Sequence, residues 1–209
     1  MKNKLLKTLT CFASISAIGS TIAISSTGCG CSNKESIKAL PESVYEIDAN
    51  NVLHGFKEGI DLSQYEGICD TIRIPASVTS IGDDAFYKPS QTTSSTIPQF
   101  ITKLIFPKKS NCSSIGMQAF DEWHWKTSVS FPGSLIEFNY MAFDECFTLS
   151  SITWNSWKGP SQTTFNAAFR GFPDKGTVTV TNPVDGNDSS ELLQFLKDEV
   201  NLPDGWTAA

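Results

Sequence analysis

The residues best suited to covalent chemistry lie near the N-terminus, where Cys29 follows the small residues Ser26, Thr27 and Gly28. Small side chains of this kind precede the bond that a signal peptidase cuts. The cysteine thiol can carry a lipid through a thioether bond. Upstream, three lysines are followed by an apolar run diluted by serine and threonine, which is typical of an export signal. The sequence therefore predicts a signal peptide over residues 1–28 and a lipidated Cys29.

The stretch "SSTGC" resembles a bacterial lipobox, and the whole leader is similar to those of mycoplasma lipoproteins. It departs from the usual pattern at Ser26, where a branched aliphatic residue is common and mycoplasma-type sequences tolerate others. Two acyl chains on Cys29, at about 0.8 kcal/mol per buried methylene, hold a protein stably on a bilayer. Cys31 is the alternative lipidation site, and an uncleaved signal anchor is the alternative to cleavage. We expect anchoring on the outer face of the cell membrane, with residues 29–45 as a polar tether.

The rest of the sequence offers no constellation for catalysis. A Ser or Cys nucleophile needs a nearby base, and neither His54 nor His124 lies in a recognisable arrangement. No glycine-rich phosphate loop is found. Residues 185–188 begin like a calcium loop, but Leu196 stands where a bidentate Glu would be required. We therefore expect no enzyme, no cofactor and no bound metal.

Composition and charge limit the fold and the partners. A chain of 209 residues with 40% hydrophobic content supports one main core. Its net charge of −6 argues against binding to nucleic acid. The cysteines beyond the anchor form no CxxC pair, so we expect buried small hydrophobes rather than disulfides or a zinc site at Cys31, Cys69, Cys112 and Cys146. Two acid pairs are expected to be solvated turn carboxylates: Asp83–Asp84 and Asp144–Glu145.

The most informative pattern is a repeat marked by the pair Ala–Phe. A strand-like alternation precedes each copy and a fifth follows the last, with strands starting near residues 72, 104, 129, 152 and 178. Because each turn of a solenoid contacts only its neighbours, insertions confined to loops are tolerated. The marker occurs at Ala85–Phe86, Ala119–Phe120, Ala142–Phe143 and Ala168–Phe169.

Each repeat should contribute two sets of inward side chains. Alternate residues of the strand face one core, and a second inward residue follows at Ile81, Ile115 and Phe138. The next residue is of a type that tolerates a positive φ, so we expect the chain to turn in a left-handed conformation at Gly82, Gly116 and Asn139.

The stretches "IRIPASVTSIGDDAF" and "AFDECFTLSSITW" resemble the leucine-rich repeat of the BspA type over residues 71–182. The match is weakest in the fourth unit, where Asn155 replaces proline and Phe165 occupies the turn position. The resemblance implies a repeat solenoid that is mainly β, with about five stacked strands. It also implies a role in adhesion or host-surface interaction.

Both ends of such a solenoid need covering. Residues 46–70 are expected to form an N-terminal cap, with apolar contributions from Val52, Leu53, Phe56 and Ile60. Residues 183–209 should hold a capping helix and a tail. Asp188 and Glu191 are spaced like a capping box, and apolar residues then follow one helical face at Leu192, Leu193, Leu196 and Val200.

The candidate binding face comprises the strand residues that alternate with the core. It is rich in hydroxyls and carries cations at its N-terminal side: Thr71, Arg73, Lys103, Ile105, Ser128, Ser130, Ser151, Thr153, Thr177 and Thr179. Trp125 and Trp157 are candidate aromatic contacts in loops, with packing against the adjacent coil as the alternative.

The expected partner is a host or bacterial surface protein or a glycan. The alternative is a structural or accessory envelope lipoprotein, packed permanently in a membrane complex. That alternative predicts a contiguous apolar patch, whereas reversible binding predicts a polar face.

Overall fold

A computed structural model describes residues 38–87, 97–123 and 127–209. The lipidation candidates Cys29 and Cys31, the signal peptide, residues 29–37 of the tether and the candidate contact Trp125 lie outside these residues. The strands are β1 Tyr45–Ile47, β2 Val52–Phe56, β3 Thr71–Arg73, β4 Ser80–Ile81, β5 Lys103–Ile105, β6 Ser114–Ile115, β7 Ser128–Phe131, β8 Glu137–Phe138, β9 Ser151–Asn155, β10 Thr164–Phe165, β11 Lys175–Thr181 and β12 Gly205–Ala208. Helix α1 spans Ser189–Val200, and short 3-10 turns lie at Glu42–Val44, Ser63–Tyr65 and Pro160–Gln162.

The longer strands form a parallel sheet, sheet A, in the order β12-β11-β9-β7-β5-β3. All five strands expected from the sequence belong to it, and β12 adds a further strand at the C-terminal edge. Pairing is in register, so that Ile72, Leu104 and Val129 lie side by side. Each of these side chains is buried. The predicted β solenoid is confirmed.

A second sheet, sheet B, has the order β1-β2-β4-β6-β8-β10. Strands β1 and β2 form an antiparallel hairpin, and the two-residue strands β4, β6, β8 and β10 continue it in parallel. Ile81, Ile115 and Phe138 lie in these strands and are buried, as expected. In the weakly matching fourth unit, Phe165 pairs with Phe138.

The Ala–Phe segments form a third side of each coil, here called the Ala–Phe ladder: residues 83–87, 117–122, 140–145 and 167–171. Backbone bonds join each segment to the next, for example from Phe86 N to Ala119 O at 2.9 Å and from Phe120 N to Ala142 O at 2.9 Å. The phenylalanines stack with ring centroids 5.0 Å apart along Phe86, Phe120, Phe143 and Phe169. This stack runs through the core from one coil to the next.

The expected left-handed turn lies two residues later than predicted. The positive φ angles of 49–56° occur immediately before each Ala–Phe pair, at Asp84, Gln118, Met141 and Ala167. Gly82 and Gly116 do not adopt this conformation. A Cβ on Gly116 would lie 2.5 Å from Asp83 N and from Gly82 C, so this glycine is needed for close approach of neighbouring coils.

Helix α1 covers the C-terminal end of the core. Asp188 caps it, because its carboxylate accepts hydrogen bonds from Ser190 N at 2.8 Å and Glu191 N at 3.1 Å. The Phe195 ring lies 5.5 Å from the rings of Trp157 and of Phe165. The helix therefore packs on aromatic side chains of the last coil, and the residues after it form the edge strand β12, which pairs with β11.

Within the described residues Cys69, Cys112 and Cys146 form no disulfide, and of these three side chains Cys69 is partly exposed while the other two are buried. Burial raises the pKa of the Cys112 thiol to about 12. These side chains therefore pack as small hydrophobes. Of the helices in the described ranges, none combines the length and the apolar character needed to cross a bilayer.

Candidate binding face

The outer surface of sheet A carries two rows of side chains that run across the strands. In-register pairing aligns the first row as Lys103, Ser128, Ser151 and Thr177, and the second as Arg73, Ile105, Ser130, Thr153 and Thr179. Neighbouring strands of a sheet lie about 4.8 Å apart. None of these nine side chains is buried. The sequence-predicted face is thus brought together, except at one position.

That exception is Thr71, which is only 1% exposed and does not belong to the face. The N-terminal segment passes beside it, because Leu40 N donates to Thr71 O at 2.9 Å and Ala39 forms a bridge with the strand. The Thr71 hydroxyl donates to Asp70 at 2.6 Å. The expectation for Thr71 was wrong because the covering segment lies some thirty residues earlier in the chain.

The two cations of the face differ in their surroundings. Lys103 Nζ lies 3.0 Å from the Asp70 carboxylate. Burial opposes ionisation of Asp70, but hydrogen bonds from Thr71 and Lys103 prevail and lower the pKa of this carboxyl. Arg73 is exposed. Arg73 is therefore the cation that a partner meets first.

Trp157 cannot contact a partner, contrary to the expectation from the sequence. Its side chain is 0% exposed, and its indole Nε1 donates to Thr163 Oγ1 at 3.0 Å. The ring packs on Trp154 and Phe195. The exposed aromatic side chains that sequence reasoning missed include Tyr140, at 49%, and Phe147, at 51%.

The acid pairs on the Ala–Phe ladder are not uniformly solvated. Asp83 and Asp84 are exposed as expected, and Asp83 accepts a hydrogen bond from Met117 N at 2.7 Å. Asp144, in contrast, is only 6% exposed. Arg170 of the next coil binds it through two nitrogens, with Nε 3.1 Å from Oδ1 and Nη2 against Oδ2. This fork geometry makes the pair a structural link between coils.

Asp121 occupies the corresponding position one coil earlier, and no Lys or Arg among the described residues forms an ion pair with it. One carboxylate oxygen accepts a hydrogen bond from Gln118 Nε2 at 3.0 Å. The other, Oδ1, is buried and has no hydrogen-bond partner in the part of the chain that the structure describes. Burial, followed by the negative charges of Asp144 and Glu145, raises the pKa of Asp121.

The Asp121 carboxyl is therefore expected to reduce stability as the pH rises. Because its folded-state pKa exceeds the unfolded value of about 3.9, its contribution is complete below that value and is lost as the pH rises through the folded pKa. Replacing Asp121 with Asn should flatten the decline in unfolding free energy that occurs as the pH rises above about 4. Urea titrations at a series of pH values measure how the unfolding free energy depends on pH. The variant Asp174→Asn, which changes an exposed carboxyl, is the control. An unchanged slope in Asp121→Asn would contradict the assignment.

In the described ranges, no group of three His, Cys, Asp or Glu side chains is arranged to hold a metal ion. The candidate functional site is therefore the polar outer surface of sheet A, which is built on hydrogen-bonded parallel strands. Such a face can exchange hydrogen bonds with a macromolecule, since each hydroxyl both donates and accepts.

Comparisons with known proteins agree with the repeat pattern. A family model described as "BspA type Leucine rich repeat region (6 copies)" matches residues 63–105 and 100–185. No curated protein matches the sequence significantly. Among solved structures, a T. pallidum leucine-rich repeat protein shares 12% sequence identity, with 68% of this chain and 86% of that chain covered and a TM-score of 0.26.

Proposed function

Since the chain belongs to the BspA-type leucine-rich repeat family, a family of interaction repeats, we propose that it is a lipid-anchored binding protein on the outer face of the cell membrane. In this proposal the outer face of sheet A binds a host or bacterial surface protein or a glycan. The observation that supports the proposal best is the pair of side-chain rows, which place six hydroxyls in register across three strands: Ser128, Ser130, Ser151, Thr153, Thr177 and Thr179.

The character of this face favours reversible binding. Interfaces of permanent complexes are more apolar than those of transient ones. Ile105 is the apolar member of the two rows, and it is half-buried. A partner packed permanently on this face would therefore leave many hydroxyls to be satisfied across the interface. We accordingly prefer reversible binding to the role of a permanently packed envelope lipoprotein.

The anchor is supported by the sequence alone. Cys29 follows small residues and a basic, apolar leader, and the polar residues 29–45 would join it to the rest of the chain. Two acyl chains would hold the domain at the bilayer without a spanning helix. A tether of this length keeps the repeats close to the membrane surface.

Replacing Cys29 with Ser should abolish membrane retention, because the serine hydroxyl does not replace the thiol in thioether formation. The test is to express the full-length chain in a host of the same type, partition it between detergent and water, and shave intact cells with protease. We expect the unaltered chain to enter the detergent phase and to be shaved. Cys31→Ser is the matched control and should behave like the unaltered chain.

The contrary results are distinguishable. If Cys31→Ser alone loses retention, Cys31 is the lipidated residue. If both variants still partition into detergent, the leader is an uncleaved anchor and lipidation at Cys29 is wrong. If the unaltered chain resists shaving, surface display is wrong, and the envelope-structural role replaces the proposed one.

A further inference from the structure

The side of the solenoid that joins sheet A to sheet B carries basic residues and no acidic ones. In four coils, the segments from a strand of sheet A to the next strand of sheet B are residues 71–79, 103–113, 128–136 and 151–163. They contain no acidic residue, although acidic residues outnumber basic ones by 22 to 16 in the whole chain. This side therefore attracts anions that the rest of the chain repels. The basic residues are Arg73, Lys103, Lys108, Lys109 and Lys158.

Three of these cations are exposed on the first two coils. Arg73 lies in register with Ile105, which precedes Lys108 by three residues. Arg73, Lys108 and Lys109 are exposed, and among the described residues none of these three side chains forms an ion pair. Lys103 differs, because it has the ion pair described above. The first two coils therefore present three uncompensated positive charges.

Lys108 and Lys109 occupy the tip of the turn after β5, which a hydrogen bond from Ser110 N to Pro107 O closes at 2.9 Å. Equivalent hydrogen bonds of 3.1 and 3.2 Å close the turns after β3 and β7. The tips of those two turns carry small residues: Ala76, Ser77, Gly133 and Ser134. The two lysines therefore have the longest side chains on these three tips, and no bulky neighbour on the adjacent tips keeps a ligand away from them.

The turns are stacked, because backbone hydrogen bonds join the coils before and after them. Examples are Ile74 N to Ile105 O at 3.0 Å before the turns and Ser113 N to Thr79 O at 2.9 Å after them. At the usual strand spacing of about 4.8 Å, four coils extend over about 14 Å. Lys158, which follows β9 on the fourth coil, is also exposed. The cations therefore form an elongated row and not a compact cluster.

An acidic polysaccharide fits this row better than a bilayer surface does. Its negative groups recur along an extended chain, and sulfate or carboxylate groups form charge-assisted hydrogen bonds with Lys and Arg. Its hydroxyls can pair with serine hydroxyls near the cations, at Ser77 and Ser156. Peripheral binding to lipid instead combines basic residues with apolar side chains that enter the headgroup region. The described turn tips hold no such side chain, since Trp157, beside Lys158, is buried.

We propose that Arg73, Lys108 and Lys109 bind an acidic polysaccharide that lies across the turns after the strands of sheet A, and that Lys158 extends this site. The sugars carry sulfate or carboxylate groups, which the four cations bind. Arg73 also belongs to the second row of the sheet A face, but the three lysines of the site lie outside both rows. The site therefore adds a charge-selective contact, and it does not require a partner on the hydroxyl rows.

The test is to measure binding of dextran sulfate to the purified full-length chain by calorimetry, with unsulfated dextran of the same length as the neutral probe. The salt should be near 0.15 M, where the screening length is about 8 Å and distant charges contribute little. Lys108→Gln/Lys109→Gln should weaken dextran sulfate binding about fivefold, as expected for two exposed ion pairs. The matched control is Lys57→Gln/Lys197→Gln, which removes the same charge from positions after β2 and on α1 and should leave the affinity within about twofold.

Four results would overturn the proposal. Equal weakening in both double variants would mean that only the overall charge attracts the polymer. Polyglutamate that binds as tightly as dextran sulfate and is lost in Lys108→Gln/Lys109→Gln would mean that the ligand is an acidic polypeptide. Displacement of dextran sulfate by phosphatidylglycerol vesicles, but not by phosphatidylcholine vesicles, would mean that the cations face a lipid surface. No detectable binding of dextran sulfate would exclude the site.

This site and the proposed partner on the hydroxyl rows can fail separately. Ser130→Lys/Thr177→Lys adds positive charge to those rows, so it should bind dextran sulfate at least as tightly as the unaltered chain. A loss of dextran sulfate binding in that variant, with the affinity of Lys108→Gln/Lys109→Gln unchanged, would place the polysaccharide on the sheet A face and overturn the separate site.

Discussion

Replacing Phe143 with Ala is expected to lower the unfolding free energy by about 3–5 kcal/mol, the usual range for truncating a buried phenylalanine. The Phe143 ring is 0% exposed and lies 5.0 Å from the rings of Phe120 and of Phe169. It also meets the edge of Phe131 at 5.7 Å. The cavity left by alanine would therefore open between two coils, where neither coil can collapse without losing backbone pairing.

Urea unfolding followed by circular dichroism measures this loss. Phe147→Ala is the matched control, because it removes the same atoms from a side chain that is 51% exposed, and we expect it to cost no more than about 1 kcal/mol. Equal losses in the two variants would show that the phenylalanine stack is not the structural centre of the solenoid. A loss in Phe143→Ala below about 1 kcal/mol would show the same.

The sequence was sufficient to predict sheet A because its strands repeat a two-residue alternation. Each coil must place matching side chains beside those of its neighbours, so Leu104, Val129 and Ile152 recur at equivalent positions. The short strands of sheet B were not predicted as strands. Two residues, such as Ser80 and Ile81, are too few to show an alternation, and they are strands only because the neighbouring coils pair with them.

The role of glycine could not be read from residue type alone. Gly82 and Gly116 occupy the same position in successive repeats, yet their neighbours differ. A Cβ on Gly82 would meet the His54 side chain at 3.2 Å, whereas a Cβ on Gly116 would lie 2.5 Å from the backbone of the preceding coil. The sequence indicated conformational freedom at both positions, but the structure shows negative φ at both and a requirement for space at Gly116.

Two predictions for the candidate binding face were wrong because residues distant in the sequence cover the side chains concerned. Thr71 is covered by residues 39–40, and Trp157 is enclosed by Phe195 of α1. The Asp144–Arg170 pair joins residues 26 positions apart. A local pattern assigns a residue to a strand or a loop, but it does not show which distant segment covers it.

Introducing lysines at Ser130 and Thr177 is expected to weaken partner binding at least tenfold. The two positions lie in different rows of the sheet A face and on strands that are not adjacent, so their charges do not directly oppose each other. A partner that fits the hydroxyls would have to bury two unpaired ammonium groups, at a cost well above the 1.4 kcal/mol that corresponds to tenfold. Their long apolar stems would also separate the surfaces.

The matched control places the same changes on sheet B, as Ser80→Lys and Thr164→Lys. These hydroxyl side chains lie on β4 and β10 and are not buried. The control therefore alters the same residue types and the same net charge on another side of the solenoid. It should bind the partner as the unaltered chain does.

The most direct test of the proposed function is to measure binding of the full-length chain and both double variants to a panel of immobilised extracellular proteins and glycans. The proposal predicts that the unaltered chain and the sheet B variant bind at least one member of the panel with similar affinity, and that Ser130→Lys/Thr177→Lys loses at least tenfold. If the sheet A variant binds as tightly as the unaltered chain, the outer face of sheet A is not the binding site and the central claim is wrong.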